Sequence, residues 1–224
     1  MQTLDIIDIN PKHDPVLCII WLHGLGASGH DLANLVPMLP MPRNLPTRFV
    51  FPNAPHQAVT ANAGMIMPAW YDILGWEYGS PEDSSGIKRS ADLIATLIAQ
   101  EQQRGFDSKQ IILAGFSQGG ALAMYAGLSY PLTLGGLILL STYMPIADQC
   151  LQDLHASNQN TPIFIGHGKQ DTIVPLSWGH QAYTHLIQRG CNVTWKEYTM
   201  DHSICPKEML DMLSWLKNLS LINS

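Results

Sequence analysis

Charge is scarce in this chain of 224 residues. Lys, Arg, Asp and Glu make up 13% of it, about half the usual share for a soluble domain. Hydrophobic residues make up 46%. A disordered chain needs the opposite balance, so that class is excluded. Basic residues are the scarcer kind, 12 against 18 acidic ones for a formal net charge of -6, and they form no block. Nucleic-acid binding needs clustered Lys and Arg to neutralise phosphate, and is not expected. No stretch approaches the ~18 uninterrupted apolar residues of a membrane span. The opening MQTLDIIDIN carries Asp5 and Asp8 and has neither the basic start nor the apolar core of a signal peptide. Cysteine is sparse too. Cys18, Cys150, Cys191 and Cys205 are far apart and fit no zinc or redox spacing. Cys18 in VLCIIWL suits burial as a small hydrophobe. A reduced, cytoplasmic protein is expected. The 9 histidines show no HExxH-like spacing, so no metal and no cofactor is expected.

What is present is an alternation of strand-like and helix-like segments. Thr3–Ile9 alternates as an edge strand would. Val16–Leu22 is a continuous apolar run, as in a strand buried on both faces. His30–Leu39 suits a short helix and Arg48–Phe51 a strand. Residues 52–80 read as one long irregular loop, and loops of that length are often functional. Ile87, Ala91, Ile94 and Ile98 recur at helical spacing, giving a helix over about Pro81–Arg104. Strands follow at Gln110–Ala114, Leu134–Leu140, Pro162–Ile165 and Val193–Thr199. Helices follow at Gln118–Ser129, Ile146–Ala156, Pro175–Arg189 and Pro206–Leu219. Buried strands separated by helices predict a mostly parallel central sheet with helices on both faces, an α/β fold in one domain over 1–224.

Two glycine motifs compete for the chemistry. Gly24-Leu25-Gly26-Ala27-Ser28-Gly29 matches G-x-G-x-x-G after a strand, but no Asp or Glu stands near Arg48–Asn53 to hold a ribose. A tight, close-packed turn is the plainer interpretation. A loop whose N–H groups face a reacting oxygen is another. Gly115-Phe116-Ser117-Gln118-Gly119 matches G-x-S-x-G between the strand QIILA and the helical run QGGALAMYAGL. That context is the strand–turn–helix of a nucleophile elbow, with Ser117 at its apex.

An elbow serine needs a base and an orienting acid, in the chain order Ser, Asp/Glu, His. His155, His180 and His185 fall in helical stretches. His167, between two glycines at a strand end, competes with His202, which lies in the loop before the last helix and suits the base better. Among the acids, Asp148 and Asp153 suit a solvated helix, Glu197 lies within a strand, and Asp201 adjoins His202. Asp171 follows a strand at the same sheet edge as the elbow and is the best acid. The backbone N–H of Gln118 is one oxyanion donor by geometry, and the second is expected from the His23–Gly26 loop.

Together these segments resemble the phospholipase/carboxylesterase family, which includes acyl-protein thioesterases and lysophospholipases. The resemblance runs through Trp21–Asp31 (WLHGLGASGHD), Phe51–Pro55, Val59–Asp72, Gly115–Ala123 (GFSQGGALA), His167–Pro175 (HGKQDTIVP) and Asp201–Ile204 (DHSI). It implies an α/β-hydrolase fold, the triad Ser117, Asp171 and His202, and the N–H groups of Leu25 and Gln118 as oxyanion hole. It also implies an acyl groove formed by the Leu25 loop, the segment around Trp70 and the Ser141–Pro145 region. Many members have Gly where Thr142 stands.

The expected activity is hydrolysis of carboxylic esters or thioesters with apolar acyl groups. The expected substrates are small-molecule or lipid acyl esters, acylated proteins among them. Met65, Trp70, Leu74, Trp76 and Met144 are the candidate groove residues, since Met and aromatic side chains line adaptable apolar sites. Ordinary core packing is the competing role for each. His56 and Asp72 read as polar struts of the loop. Only Asp72 and Glu77 are charged in residues 52–80, so an apolar rim beside Ser117 is expected. Such a rim allows a weak homodimer, a lipid contact or neither. The alternative is a non-catalytic acyl-lipid binding protein, which would need no Ser–His–Asp set.

Overall fold

The computed structural model describes residues 4–77 and 79–219, so Thr3, where the first strand was expected to open, lies outside the described residues. The long apolar runs become strands because only a sheet covered on both faces hides them completely. In chain order the first elements are β1 (Ile6–Ile9), β2 (Leu17–Leu22), α1 (Gly29–Ala33), β3 (Thr47–Pro52), β4 (His56–Val59) and β5 (Met65–Pro68). Then come α2 (Ser84–Gln103), β6 (Ile111–Phe116), α3 (Gln118–Ser129), β7 (Gly136–Leu140) and α4 (Ala147–Gln152). The chain continues through β8 (Ile163–Gly168), α5 (Leu176–Gln188), β9 (Val193–Tyr198) and α6 (Pro206–Lys217).

Seven strands form one sheet in the order β1-β3-β2-β6-β7-β8-β9. Only β1 pairs antiparallel, with β3. Every other neighbouring pair is parallel, β2 on both β3 and β6, and onward through β9. Alternate residues of each strand serve opposite faces. Cys18, Ile20, Leu22, Leu113, Leu139 and Ile165 pack with α2, α3 and α5. Leu17, Ile19, Trp21, Ala114, Ile138 and Phe164 pack with α1 and α6. Burying each such side chain stabilises by about 1.5–3 kcal/mol. In α3 every residue from Gln118 to Leu128 is buried, so that helix has no solvated stripe.

Three elements differ from the sequence expectation, one being the helix expected over Ile146–Ala156, which is the six-residue α4 with a separate 3-10 turn at Ala156–Asn158. The helix expected over His30–Leu39 is a five-residue α1 followed by a 3-10 turn at Val36–Met38. Pro37 has no N–H and its ring blocks continuation from the preceding turn. Residues 52–80 are not wholly irregular. They contain a β4–β5 hairpin in antiparallel register, Val59 opposite Met65 and His56 opposite Pro68. Its connection turns through Ala63 and Gly64, both at positive φ. Four-residue strands bounded by proline leave too little alternation to be recognised in sequence.

One buried ion cluster ties sheet to helix. Arg48 on β3 donates from Nε to Glu101 of α2 at 2.8 Å, and its Nη1 reaches Asp8 of β1 and Asn10. The Arg48 and Glu101 side chains are 7% and 2% exposed. The Arg48 guanidinium outweighs burial and holds the Asp8 carboxyl below the usual aspartate range.

Candidate active site

The elbow forms because β6 must turn into α3 within one residue. Ser117 sits at φ 55 and ψ -122, a backbone state that costs a non-glycine residue about 1–3 kcal/mol. The surroundings hold it there. Ser117 N–H donates to the Leu140 carbonyl at 3.0 Å, and its carbonyl accepts from Ala121 N–H at 3.0 Å. The same carbonyl accepts from Thr142 Oγ1 at 2.7 Å. Gly115 and Gly119 are required by close approach. A Cβ on Gly115 would overlap the Gly119 backbone, and one on Gly119 would overlap Leu22 and His23 carbonyls.

The three residues expected as a triad converge at the carboxyl edge of the sheet. Ser117 Oγ lies 2.9 Å from His202 Nε2. His202 Nδ1 lies 2.7 Å from Asp171 Oδ2. The other Asp171 oxygen accepts from the N–H groups of Ile173 at 2.9 Å and Val174 at 2.8 Å. Burial pushes the Asp171 carboxyl up, but the bonds from His202 and the two N–H groups prevail and hold it below the usual range. The Phe116 ring, 4.7 Å from the imidazole centroid to centroid, backs His202.

His167 takes a different position. Its Nε2 bonds the Val174 carbonyl at 2.8 Å and stands 3.6 Å from Asp171 Oδ2. It is fully buried, and burial lowers its pKa. It supports the turn that carries Asp171 and has no contact with Ser117. Glu197 bonds Trp195 Nε1 at 3.0 Å, and Asp201 is exposed. Asp153, expected to be solvated, accepts from Tyr125 Oη at 2.6 Å and from Gln149.

The early glycine loop lies against the elbow. A Cβ on Gly24 would stand 3.4 Å from Ser117 Cβ, so Gly24 itself lies beside the serine. His23 Nε2 accepts from Ala54 N–H at 3.0 Å, so its Nδ1 is the donor to the Gly24 carbonyl at 2.7 Å. Burial lowers the His23 pKa, and the ring is a neutral strut. Gly26 N–H donates to the Pro68 carbonyl at 2.8 Å, joining the loop to the hairpin. At Gly29 a Cβ would stand 2.7 Å from the Phe51 carbonyl. The G-x-G-x-x-G match is therefore a close-packed turn over β3.

Of the five candidate groove residues, Leu74 and Met144 line a cavity of about 230 Å³, together with Tyr71, Tyr143 and Trp178. Trp70 does not. It is 1% exposed, packs on His23 at 5.2 Å and donates its indole N–H to the His23 carbonyl at 2.8 Å. Trp70 is core because the loop folds its backbone under the elbow. Gln118 Oε1 accepts from Trp70 N–H at 3.0 Å, and its Nε2 donates to the Tyr71 carbonyl at 2.8 Å. Met65 and Trp76 are exposed on the rim and do not line the cavity. Trp76 donates to the Ala61 carbonyl at 3.0 Å. Asp72 is a strut, accepting from Thr60 N–H and Oγ1, whereas His56 is exposed on β4. In the segment expected to form an apolar rim, Ile66, Met65, Trp76 and Leu74 are exposed, while Val59, Ala69, Trp70 and Tyr71 are buried.

Sequence reasoning missed three contributors. The Gln118 side chain was assigned only its backbone N–H. Thr142 entered only as a departure from a pattern. Glu208, fully buried at the start of α6, carried no signal, because a charged residue in a first helical turn normally faces water.

A sequence profile of the phospholipase/carboxylesterase family matches residues 4–220. Acyl-protein thioesterase 1 of Saccharomyces cerevisiae is 41% identical over 207 residues, covering 89% of this chain and 91% of the relative. A probable carboxylesterase of Oryza sativa is 34% identical, covering 89% and 76%. The crystal structure of Arabidopsis thaliana SOBER1 superposes with a TM-score of 0.85 at 33% identity, covering 90% of this chain and 97% of that one. Zea mays acyl-protein thioesterase 2 superposes with a TM-score of 0.85 at 26% identity, covering 97% and 99%. The parallel sheet, the strand–serine–helix elbow and these matches agree: the chain belongs to the phospholipase/carboxylesterase family, hydrolases of the α/β-hydrolase fold.

Proposed function

We propose that this enzyme is a serine hydrolase that cleaves carboxylic esters or thioesters with apolar acyl groups through an acyl-enzyme. The observation that carries this reading is the hydrogen-bonded line from Ser117 through His202 to Asp171. Asp171 accepts the Nδ1 proton of His202, which leaves the Nε2 lone pair facing Ser117 Oγ. As Oγ attacks the acyl carbonyl carbon, Nε2 takes the Oγ proton, and Asp171 stabilises the resulting imidazolium. The N–H groups of Leu25 and Gln118 receive the oxyanion, and losing one such donor typically costs about 3 kcal/mol. Collapse of the tetrahedral intermediate expels the alcohol or thiol, which takes its proton from His202. Water, deprotonated by the same nitrogen, then releases the acid and restores Ser117.

We assign the acyl group to the cavity lined by Leu74, Met144, Tyr71 and Trp178, although Ser117, Asp171 and His202 are not part of its lining; Met65 and Trp76 are exposed outside it. Acylated proteins and lipid or small-molecule acyl esters are the substrate classes this reading admits, in keeping with relatives named acyl-protein thioesterase and carboxylesterase. We read the chain as one domain, since a single seven-stranded sheet organises both faces of the core. We assign it to a reducing compartment, the cytoplasm, because all four cysteines are unpaired and three are buried. Among the described residues no helix is long and apolar enough to cross a membrane.

A fluorophosphonate probe is expected to label Ser117 stoichiometrically, and Ser117→Ala to abolish both labelling and turnover of p-nitrophenyl esters while the fold persists. A folded wild-type protein that neither reacts nor hydrolyses any ester or thioester would sink the proposal.

A further inference from the structure

Glu208 occupies the third position of α6, after Cys205 at the cap and Pro206 at the first turn. A glutamate there ordinarily turns back to the cap backbone or faces solvent. Here the side chain points inward. The residue is 0% exposed, and neither carboxyl oxygen has a hydrogen-bond partner of ordinary geometry among the described residues, the Cys205 backbone exerting only a weaker pull on the carboxyl. The carboxyl fills the space that glycine leaves at position 166, where a Cβ would overlap Glu208 Oε1. The next turn of chain after Gly166 and Gly168 carries Asp171. The loop immediately before α6 carries His202. The carboxyl thus sits where the two segments that present the partners of Ser117 cross.

We propose that Glu208 is a positioning residue whose uncharged carboxyl, seated under Gly166, locks the strand end bearing Asp171 to the helix start that follows His202. The inference rests on the serine-hydrolase reading and adds to it a group that touches neither substrate nor triad. An ionised carboxylate without a partner is expensive to bury, so this seat favours the protonated acid. Burial raises its pKa to about 8, against a smaller opposing pull from the helix-cap contact at Cys205. The groups facing it are few. Tyr198 comes from β9, its own ionisation pushed up by burial, and donates to Asp211 at 3.2 Å. Cys205 Sγ accepts from Glu208 N–H at 3.5 Å. Ser141 from β7 donates its N–H to the Gly166 carbonyl at 2.8 Å, and its hydroxyl is buried without a partner. On α6 itself Lys207 pairs with Asp211 at 3.6 Å. His167 of β8 lies against Gly179 of α5 instead. Among the described residues no cation is paired with this carboxyl. The folded state binds the proton more tightly than the unfolded chain. The stabilising contribution of the seat is therefore full below the ordinary glutamate range and is lost as pH rises through about 8.

The test is the pH dependence of kcat/KM for p-nitrophenyl butyrate in wild type, Glu208→Gln and Glu208→Leu. Wild type is expected to lose about fivefold between pH 8 and 9, in kcat with KM unchanged, as a one-proton step. Glu208→Gln keeps the shape without the charge and should hold its activity flat across that interval. Cys205→Ser should retain the wild-type fall. An alkaline fall that is identical in Glu208→Gln overturns the proposal. If neither Glu208 variant folds, carbon-13 NMR of the Glu208 carboxyl in the wild-type protein decides. Titration near 8 coincident with the kcat step upholds the seat, and titration below about 6, or at a pH unrelated to the step, overturns it. Loss of probe labelling at every pH would instead indict the serine-hydrolase reading.

Discussion

Thr142 donates its hydroxyl to the carbonyl oxygen of Ser117 at 2.7 Å. The bond crosses from the end of β7 to the apex of the elbow and fixes the peptide on the far side of the strained residue. Thr142 itself is 1% exposed and packs its methyl against Gly120. Thr142→Val keeps the shape and removes the donor. The Ser117 carbonyl then keeps only Ala121 N–H, a loss of about 1 kcal/mol. The expected result is a fall in kcat of about fivefold with little change in KM, restored by Thr142→Ser. Steady-state kinetics on a short p-nitrophenyl ester checks both variants.

Gln118→Leu strips the elbow of its side-chain bonds to Trp70 N–H and the Tyr71 carbonyl. Two buried backbone groups are left unpaired, at about 1–3 kcal/mol each. A lower Tm is expected, together with faster hydrogen exchange confined to residues 69–72. Unchanged protection there would show that the bonds are dispensable.

Asp171→Asn retains the acceptor for Ile173 and Val174 but turns an N–H toward His202 Nδ1. The imidazole is then held in the wrong tautomer, and kcat should fall by about 10⁴. The wild-type carboxyl is held below the ordinary aspartate range. Its contribution to folding is therefore present above that range and lost only as pH falls through the lowered value. Acid denaturation should begin at a higher pH wherever the His202 bond is removed, as in His202→Ala. Equilibrium unfolding followed by circular dichroism against pH measures this.

Arg48→Met leaves Glu101 nearly inaccessible and without its shortest ion pair, Arg104 at 3.3 Å remaining as a partner. Destabilisation of about 3–5 kcal/mol is expected. The double variant Arg48→Met with Glu101→Leu should recover most of that loss, because no buried charge is then left unpaired. Urea midpoints for the two single variants and the double variant provide the comparison.

Leu74→Trp or Met144→Trp adds volume inside the cavity they line. If this cavity receives the acyl chain, kcat/KM should fall more for octanoyl and longer esters than for acetyl esters, by about tenfold or more. Equal losses at every chain length would place the acyl group elsewhere. Trp70→Phe, by contrast, should lower stability through the lost bond to the His23 carbonyl without altering the ranking of acyl lengths.

The elbow was legible because its signals are local. A serine between a buried apolar run and a helical run, flanked by glycine on both sides, has one stereochemical outcome at a sheet edge. The strands were legible because β2, β6, β7 and β8 are covered on both faces, so their composition is nearly pure. His202 and Asp171 could be ranked by their positions after strands. His167 could not be set aside, since it stands in a similar position and only the third dimension turns it under Val174. The groove was the weakest expectation. Exposure of Met65 and Trp76 and burial of Trp70 depend on how residues 52–80 fold back on the elbow, and four-residue strands carry no periodicity to announce that.

The amino-acid sequence by itself determined the class of fold and the strand–serine–helix elbow, and it ranked the candidate partners of Ser117, because apolar runs, turn glycines and chain order each impose a constraint within a few residues. Tertiary structure alone decided which residues hold those groups in place. Thr142 on the Ser117 carbonyl, Gln118 on the Trp70–Tyr71 backbone and Glu208 under Gly166 act across 25, 47 or 48, and 42 positions of chain respectively. Contacts at such separations follow from the packing of a closed core, where a buried polar group must find a partner or stay uncharged.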